Sequence, residues 1–257
     1  MDRRQFLVRS SAALGAVAAA SGATMAQSAS PASVSGDASD QWNRVRMMFR
    51  LDPNYAHMAG FFLVSHPAPV RKAIDEYRNA LDLNPIGEWH DHHAEYEDRV
   101  RAAAGKYLDV NGEREIALTD STTMGLGLLY NSLKLREDQD ILTSEHDHYA
   151  THQSLRFRAE RTGAKFNKIR LYEDGSQASV DEIVSAVTKG LTPRTRIVAL
   201  TWVHSCSGVK LPLRQIADAI AEANRDREPG DRAIFCVDGV HGLGVDDLTI
   251  PQMGCDF

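Results

Sequence analysis

The chain has 257 residues, 43% hydrophobic and 25% charged, and 29 Lys and Arg against 35 Asp and Glu give it a net charge of -6. This is the composition of one large globular domain or two small ones, not of a disordered or low-complexity chain. No Lys/Arg-rich face stands out, which argues against nucleic acid as the main partner.

The chain opens with Met-Asp-Arg-Arg-Gln-Phe-Leu, and an Ala-rich apolar run follows from Ser11 to Ala20. Paired arginines before Phe-Leu, then an apolar run and small residues near Ala23 and Ala26, are the layout of a twin-arginine signal, expected over residues 1–26. The run is shorter than the roughly 20 residues of a spanning helix, so a membrane anchor is the lesser alternative. The expected destination is the periplasm, or export otherwise through the twin-arginine route. Such a route carries folded protein, which suits one loaded with a cytoplasmic cofactor. Residues 27–40 (QSASPASVSGDASD) read as a flexible linker.

An N-terminal helical segment is expected over residues 41–100. Val70, Ile74, Tyr77 and Leu81 fall at helical spacing after a Pro-rich start, and Tyr96, Val100, Ala103 and Tyr107 mark a second helix. From residue 101 to 257 strands and helices alternate. Strands are expected at 115–119 (EIALT), 140–144 (DILTS), 166–171 (FNKIRL), 195–202 (TRIVALTW) and 232–239 (RAIFCVDG). Helices are expected at about 122–133 and 149–162, from a Ser179/Glu182 capping box to about Lys189, and through Leu213, Ile216, Ala217 and Ile220. Alternation of this kind implies βαβ units: a three-layer α/β/α sandwich around a mainly parallel sheet. Three cysteines (Cys206, Cys236, Cys255) form no disulfide framework, and Cys236, inside an apolar strand, reads as a small core residue.

In such sheets ligands bind at the carboxyl ends of the strands, and polar clusters stand at four of those ends. Asp120-Ser121-Thr122-Thr123 leads into a helix, either as an anion site built from free N–H groups and hydroxyls or as an ordinary N-cap. Asp238 closes an apolar strand, either as the partner of a cationic ring nitrogen or as a turn cap before Gly239. His241 follows three residues later. His148 could lie over a flat cofactor ring, yet His146, His148 and His152 also suit a zinc site. The segment EWHDHHAE, with His90, His92 and His93, offers a metal site, a substrate contact or a solvated helix start.

Together these residues resemble the class V aminotransferases, fold-type I pyridoxal 5'-phosphate enzymes that include cysteine desulfurases and isopenicillin N epimerase-like proteins. STTMGLG (121–127) resembles the family's phosphate loop, implying that Thr122 and Thr123 hold the cofactor phosphate. ILTSEHDHYAT resembles the segment whose histidine stacks on the ring, here His148. VHSCSGVKLPL resembles a loop whose usual Asn is Ser205 here, and DGVHG resembles the Asp-x-x-His/Gln pair, giving Asp238 and His241 to the cofactor. The stretches at 55–70 and 83–90 are similar to the epimerase-like branch near its substrate mouth, implying substrate contacts from His57 and His90.

The resemblance implies the large cofactor domain of an enzyme acting on an amino acid by epimerisation, transamination or carbon–sulfur cleavage, and a homodimer in the intact form. The family's Schiff-base lysine follows the Asp-x-x-His pair by a few tens of residues. The chain ends at Phe257, and Lys72, Lys106, Lys134, Lys165, Lys168, Lys189 and Lys210 lie outside that context. The expectation is therefore a fragment or a degenerate protein. The alternatives are a zinc-dependent hydrolase using His146, His148 and His152, and a non-catalytic periplasmic remnant.

Overall fold

The structure, a computed structural model, describes residues 38–257. The expected signal and residues 27–37 of the expected linker lie outside the described residues. A first helix, α1 (Ala38–Met47), already occupies the last three linker positions. The chain divides into two compact units, one ending at Lys72 and the other running from Ala73 to Phe257. In the first unit Arg71 donates to the carbonyls of Met48 (3.0 Å) and His66.

Helix α2 (Ala68–Leu83) carries the chain into the second unit, and α3 (Pro85–Leu108) follows it. Asn84 opens α3 by accepting the Gly87 N–H, with Pro85 at its first turn, where a missing N–H costs nothing. The boundary expected at residue 100 falls inside this unbroken helix. Both expected helices form, but their apolar stripes are not core: no residue of α2 is buried, and in α3 only Gly105 is. Periodicity reports a side chain's face, not what covers it.

One expected strand is absent. Residues 112–115 form a single helical turn, α4 (Gly112–Glu115), and 116–119 are irregular. A strand needs a ladder, and 116–119 pair with no strand among the described residues. Helix α5 (Thr122–Ser132) follows, capped by Ser121, whose hydroxyl accepts the Met124 N–H.

The remainder alternates as expected: β1 (Asp140–Ser144), α6 (Tyr149–Thr162), β2 (Lys165–Ile169), α7 (Val180–Gly190), β3 (Thr195–Thr201), α8 (Leu213–Ala223), β4 (Ile234–Asp238) and a last turn, α9 (Ile250–Met253). The four strands are all parallel, in the order β2-β1-β3-β4. Ser179 accepts the Glu182 N–H to open α7, one half of the expected capping box.

The register aligns Ile141, Ile197 and Ile234 in one row and Leu142, Val198 and Phe235 in the next. Because successive side chains point to opposite faces, the two rows feed separate cores. Ile141, Ile197, Ala199 and Cys236 pack with Tyr130 of α5 and Leu155 and Ala159 of α6. Leu142, Val198, Leu200 and Phe235 pack with α7, α8 and Met253. That is the expected three-layer sandwich. Each fully buried large side chain contributes about 1.5–3 kcal/mol, so stability concentrates here, not in α2 and α3. Cys236 is fully buried, and burial pushes its thiol up to about 12.

Candidate functional site

From β1 the chain leaves through α6 on one face of the sheet, and from β3 it leaves through α8 on the other. Neighbouring parallel strands whose connections diverge in this way open a crevice at their carboxyl ends, where ligands of such sheets bind. The segments after β1, β3 and β4 meet around this edge.

Asp147, three residues past β1, sits between β1 and β3. Its Oδ2 accepts from the Thr143 hydroxyl (2.9 Å) and the Ser144 N–H (2.7 Å), and its Oδ1 accepts the Thr201 N–H (2.7 Å). Its charge is thus taken up by three donors from two strands, the compensation a buried carboxylate needs.

Asp238 ends β4 and is equally buried, with 4% exposure. Its Oδ1 accepts one hydrogen bond, the Val240 N–H at 3.2 Å. Burial holds its carboxyl above the usual carboxylate range. The negative charge of Asp147 adds to the rise, while the Val240 bond and the nearby His148 and His241 oppose it. The structure therefore brings His148 and His241 within electrostatic reach of Asp238.

His148 is the N-cap of α6: its Nδ1 accepts the Ala150 N–H (3.3 Å), and its ring is exposed beside Tyr149. Thr122 and Thr123 are the first helical residues of α5, whose leading N–H groups have no intrahelical acceptor. Thr122 reaches the β4 end, sharing with Trp202, Gly239, Val240 and Leu243 a cavity of about 360 Å³. Gly242 packs on the Trp202 indole so closely that an added Cβ would lie 2.1 Å from the ring.

Ser205 lies exposed in the loop after β3. That loop doubles back, with His204 N–H bonded to the Val209 carbonyl and Leu211 N–H to the Trp202 carbonyl. Gly208 closes its tip at φ 70°, a conformation that favours glycine. Of the two expected substrate residues, only His90 shares the second unit with this gathering. His57 belongs to the first unit, its Nε2 2.9 Å from the Asp52 carbonyl, and His90 is exposed on α3 beside Asp91.

The zinc alternative loses its geometry. His146 stacks on Tyr172, His148 caps α6, and His152 Nε2 lies 2.8 Å from the Ser144 carbonyl. Among the described residues no three His, Cys, Asp or Glu side chains gather as a metal set, the EWHDHHAE cluster included. Helical spacing spreads that cluster: His90 pairs with Asp91, His92 with Glu95, and His93 stacks on Trp89.

Sequence reasoning passed over Asp147, Tyr172, His204 and Ser207. Three of them belong to polar clusters that follow apolar strands, EHDHYATH and VHSCSG, and Tyr172 stands just past β2. Asp147 directly precedes His148, and His204 and Ser207 flank Ser205 in the same loop.

Comparison with known proteins matches residues 65–257 to the family described as "Aminotransferase class-V". A probable cysteine desulfurase of Chlamydia trachomatis serovar D is 29% identical over 161 residues, covering 62% of this chain and 37% of that protein. A cysteine desulfurase of Salmonella newport is 29% identical over 163 residues with the same coverage. Among solved structures, the cysteine desulfurase CsdA of Escherichia coli superposes with a TM-score of 0.66 at 20% identity, covering 84% of this chain and 52% of that one. The cystine C–S lyase C-DES, in complex with its product cysteine persulfide, gives 0.65 at 21% identity, covering 74% and 48%. The chain thus spans 37% of these curated relatives and about half of the solved chains.

Proposed function

Because the chain belongs to the class-V aminotransferase family, whose cofactor is pyridoxal 5'-phosphate, we propose that it holds this cofactor at the carboxyl edge of its sheet and acts on an amino acid. The observation that carries the site is Asp238, a buried carboxylate with a single hydrogen bond among the described residues and a burial-raised pKa. Such a group gains from a cationic partner, and a protonated ring nitrogen is one.

When bound, the cofactor supplies an electron sink for a substrate carbanion. The chain's own residues would hold and orient it. The start of α5, with Thr122 and Thr123, offers N–H and hydroxyl donors and a helix dipole to the phosphate. Asp238 would hold the ring-nitrogen proton. His148 would lie against the ring, and His241 and Ser205 would be the hydrogen-bonding side chains for the ring oxygen.

Of the epimerase, aminotransferase and carbon–sulfur lyase chemistries, the third has the support of relatives named as cysteine desulfurases. The paired Arg3 and Arg4 support export through the twin-arginine route, and fusion of residues 1–40 to a reporter tests this. Export should cease in Arg3→Lys/Arg4→Lys; export that continues removes the proposal. Dimerisation belongs to the same reading.

Absorbance titration of the purified chain with pyridoxal phosphate tests the site. Saturable binding is expected, weakened about tenfold or more in Asp238→Asn, the scale of one charge-assisted hydrogen bond. No saturable binding by the wild type, or equal binding by Asp238→Asn, would reject the reading.

A further inference from the structure

Four polar side chains that this reading leaves unused form a chain across the sheet edge. Asp147 Oδ1 lies 3.8 Å from His204 Nε2, an ion-pair distance longer than a hydrogen bond. His204 Nδ1 lies 2.9 Å from the Tyr172 hydroxyl, which lies 2.7 Å from Ser207 Oγ. The His146 ring covers Tyr172, centroids 3.9 Å apart and planes within 8°.

The direction of the protons follows from the two ends. Both oxygens of Asp147 already accept hydrogen bonds, so the imidazole nitrogen facing it, Nε2, is the protonated one. Nδ1 is then an acceptor, Tyr172 donates to it, and Ser207 donates to Tyr172. The Asp147 and His204 side chains are 0% and 1% exposed. Burial lowers the His204 pKa against the pull of Asp147, and His146 adds to the lowering, which favours the neutral ring this order needs.

The chain spans three strand ends: Asp147 after β1, Tyr172 after β2, His204 and Ser207 after β3. His148 is the residue after Asp147, and Ser205 is the residue after His204. We infer that Asp147 and His204 are positioning residues, whose contact, passed through Tyr172 to Ser207, holds the β1 and β3 loops in the arrangement that presents His148 and the Ser205–Ser207 turn to the cofactor. What those loops present rests on the pyridoxal-phosphate reading; the side-chain order does not.

The test uses the whole chain, 15N-labelled, without cofactor near neutral pH. Long-range proton–nitrogen spectra should show His204, assigned by its loss in His204→Gln, as the neutral Nε2–H tautomer. In Tyr172→Phe, which removes one hydroxyl and keeps the ring under His146, the amide signals of His148 and Ser207 should move and the His204 tautomer should lose its bias. A protonated or Nδ1–H His204 in the wild type, or unmoved loop amides in Tyr172→Phe, would overturn the inference.

A parallel titration with pyridoxal phosphate should show Tyr172→Phe and His204→Gln binding about three- to tenfold more weakly, the worth of one hydrogen bond. Folded variants that bind as tightly as the wild type would also overturn it. A wild type that binds no cofactor rejects the cofactor reading instead, and the tautomer and amide results still decide the side-chain order.

Discussion

Asp147 and Asp238 stand at the same edge of one sheet, each past or at the end of a strand and each nearly inaccessible to water. Asp147 receives three donors, two of them backbone N–H groups from different strands. Asp238 receives one. Equal burial with unequal satisfaction separates two kinds of work. The first carboxylate closes the crevice between β1 and β3 and joins loops to strands. The second keeps bonding capacity in reserve, beside the Thr122 cavity and within reach of two histidines, where a cationic ligand group would be welcome. A carboxylate at a strand end is therefore read by counting its donors, not by its burial.

Removing each carboxylate should break this comparison in opposite directions. Asp147→Ala strands the Ser144 and Thr201 N–H groups and the Thr143 hydroxyl, each worth about 1–3 kcal/mol when buried and unpaired. Water entry offsets part of this, so a loss of about 3 kcal/mol or more in urea unfolding is expected. A loss below about 1 kcal/mol would show that Asp147 is not the tie between β1 and β3. Gly242→Ala comes next. Its methyl meets the Trp202 indole at 2.1 Å, a buried ring with little room to shift, and overpacking of this kind costs about 1–3 kcal/mol. This strain falls on the Asp238 side, so thermal unfolding should shift while the His204 tautomer stays.

Much of this edge was legible because the strands are continuous apolar runs and the polar residues begin where they stop. DILTS and helix 149–162 match their expected limits, and all four apolar positions expected for α8 are buried. Residues 116–119 failed because alternation gives a residue's face but not a partner strand. The α2 and α3 stripes gave the two helices their spacing implied, yet burial depends on a covering surface that local sequence does not encode. The chain from Asp147 to Ser207 was hidden for a third reason. Its members are up to 60 residues apart, and only the order β2-β1-β3 brings them together. The α6 start was legible as polar, but that His148 would cap it while Asp147 turned inward needed the backbone.

Smaller effects sharpen the Asp238 side. Ser121→Ala removes the cap of α5, where the Ser121 hydroxyl accepts the Met124 N–H at 3.2 Å. About 1 kcal/mol is expected in urea unfolding, with weaker phosphate binding because the first turn frays. A cap that costs stability but leaves pyridoxal-phosphate affinity unchanged would detach the α5 start from the site.

Asp238→Asn has the smallest and most diagnostic effect on the cofactor-free chain. The folded carboxyl is raised above its unfolded value by burial, so its proton is held more tightly in the folded state. Stability from this group is full below the unfolded value of about 3.9 and is lost as pH rises through the folded value. Above the folded value the buried Asp238 carboxyl is therefore a burden that Asn does not carry. Asp238→Asn should raise Tm at pH 7 by up to a few degrees, the shift that about 1 kcal/mol produces in a domain of this size. The gain should fade as pH falls toward about 4, where the wild-type carboxyl is protonated too. Asp147→Asn should show no such gain, since it removes an acceptor that three donors use. A Tm that falls in Asp238→Asn at pH 7 would place Asp238 with Asp147 as a structural carboxylate, and the distinction between the two ends of the edge would be lost.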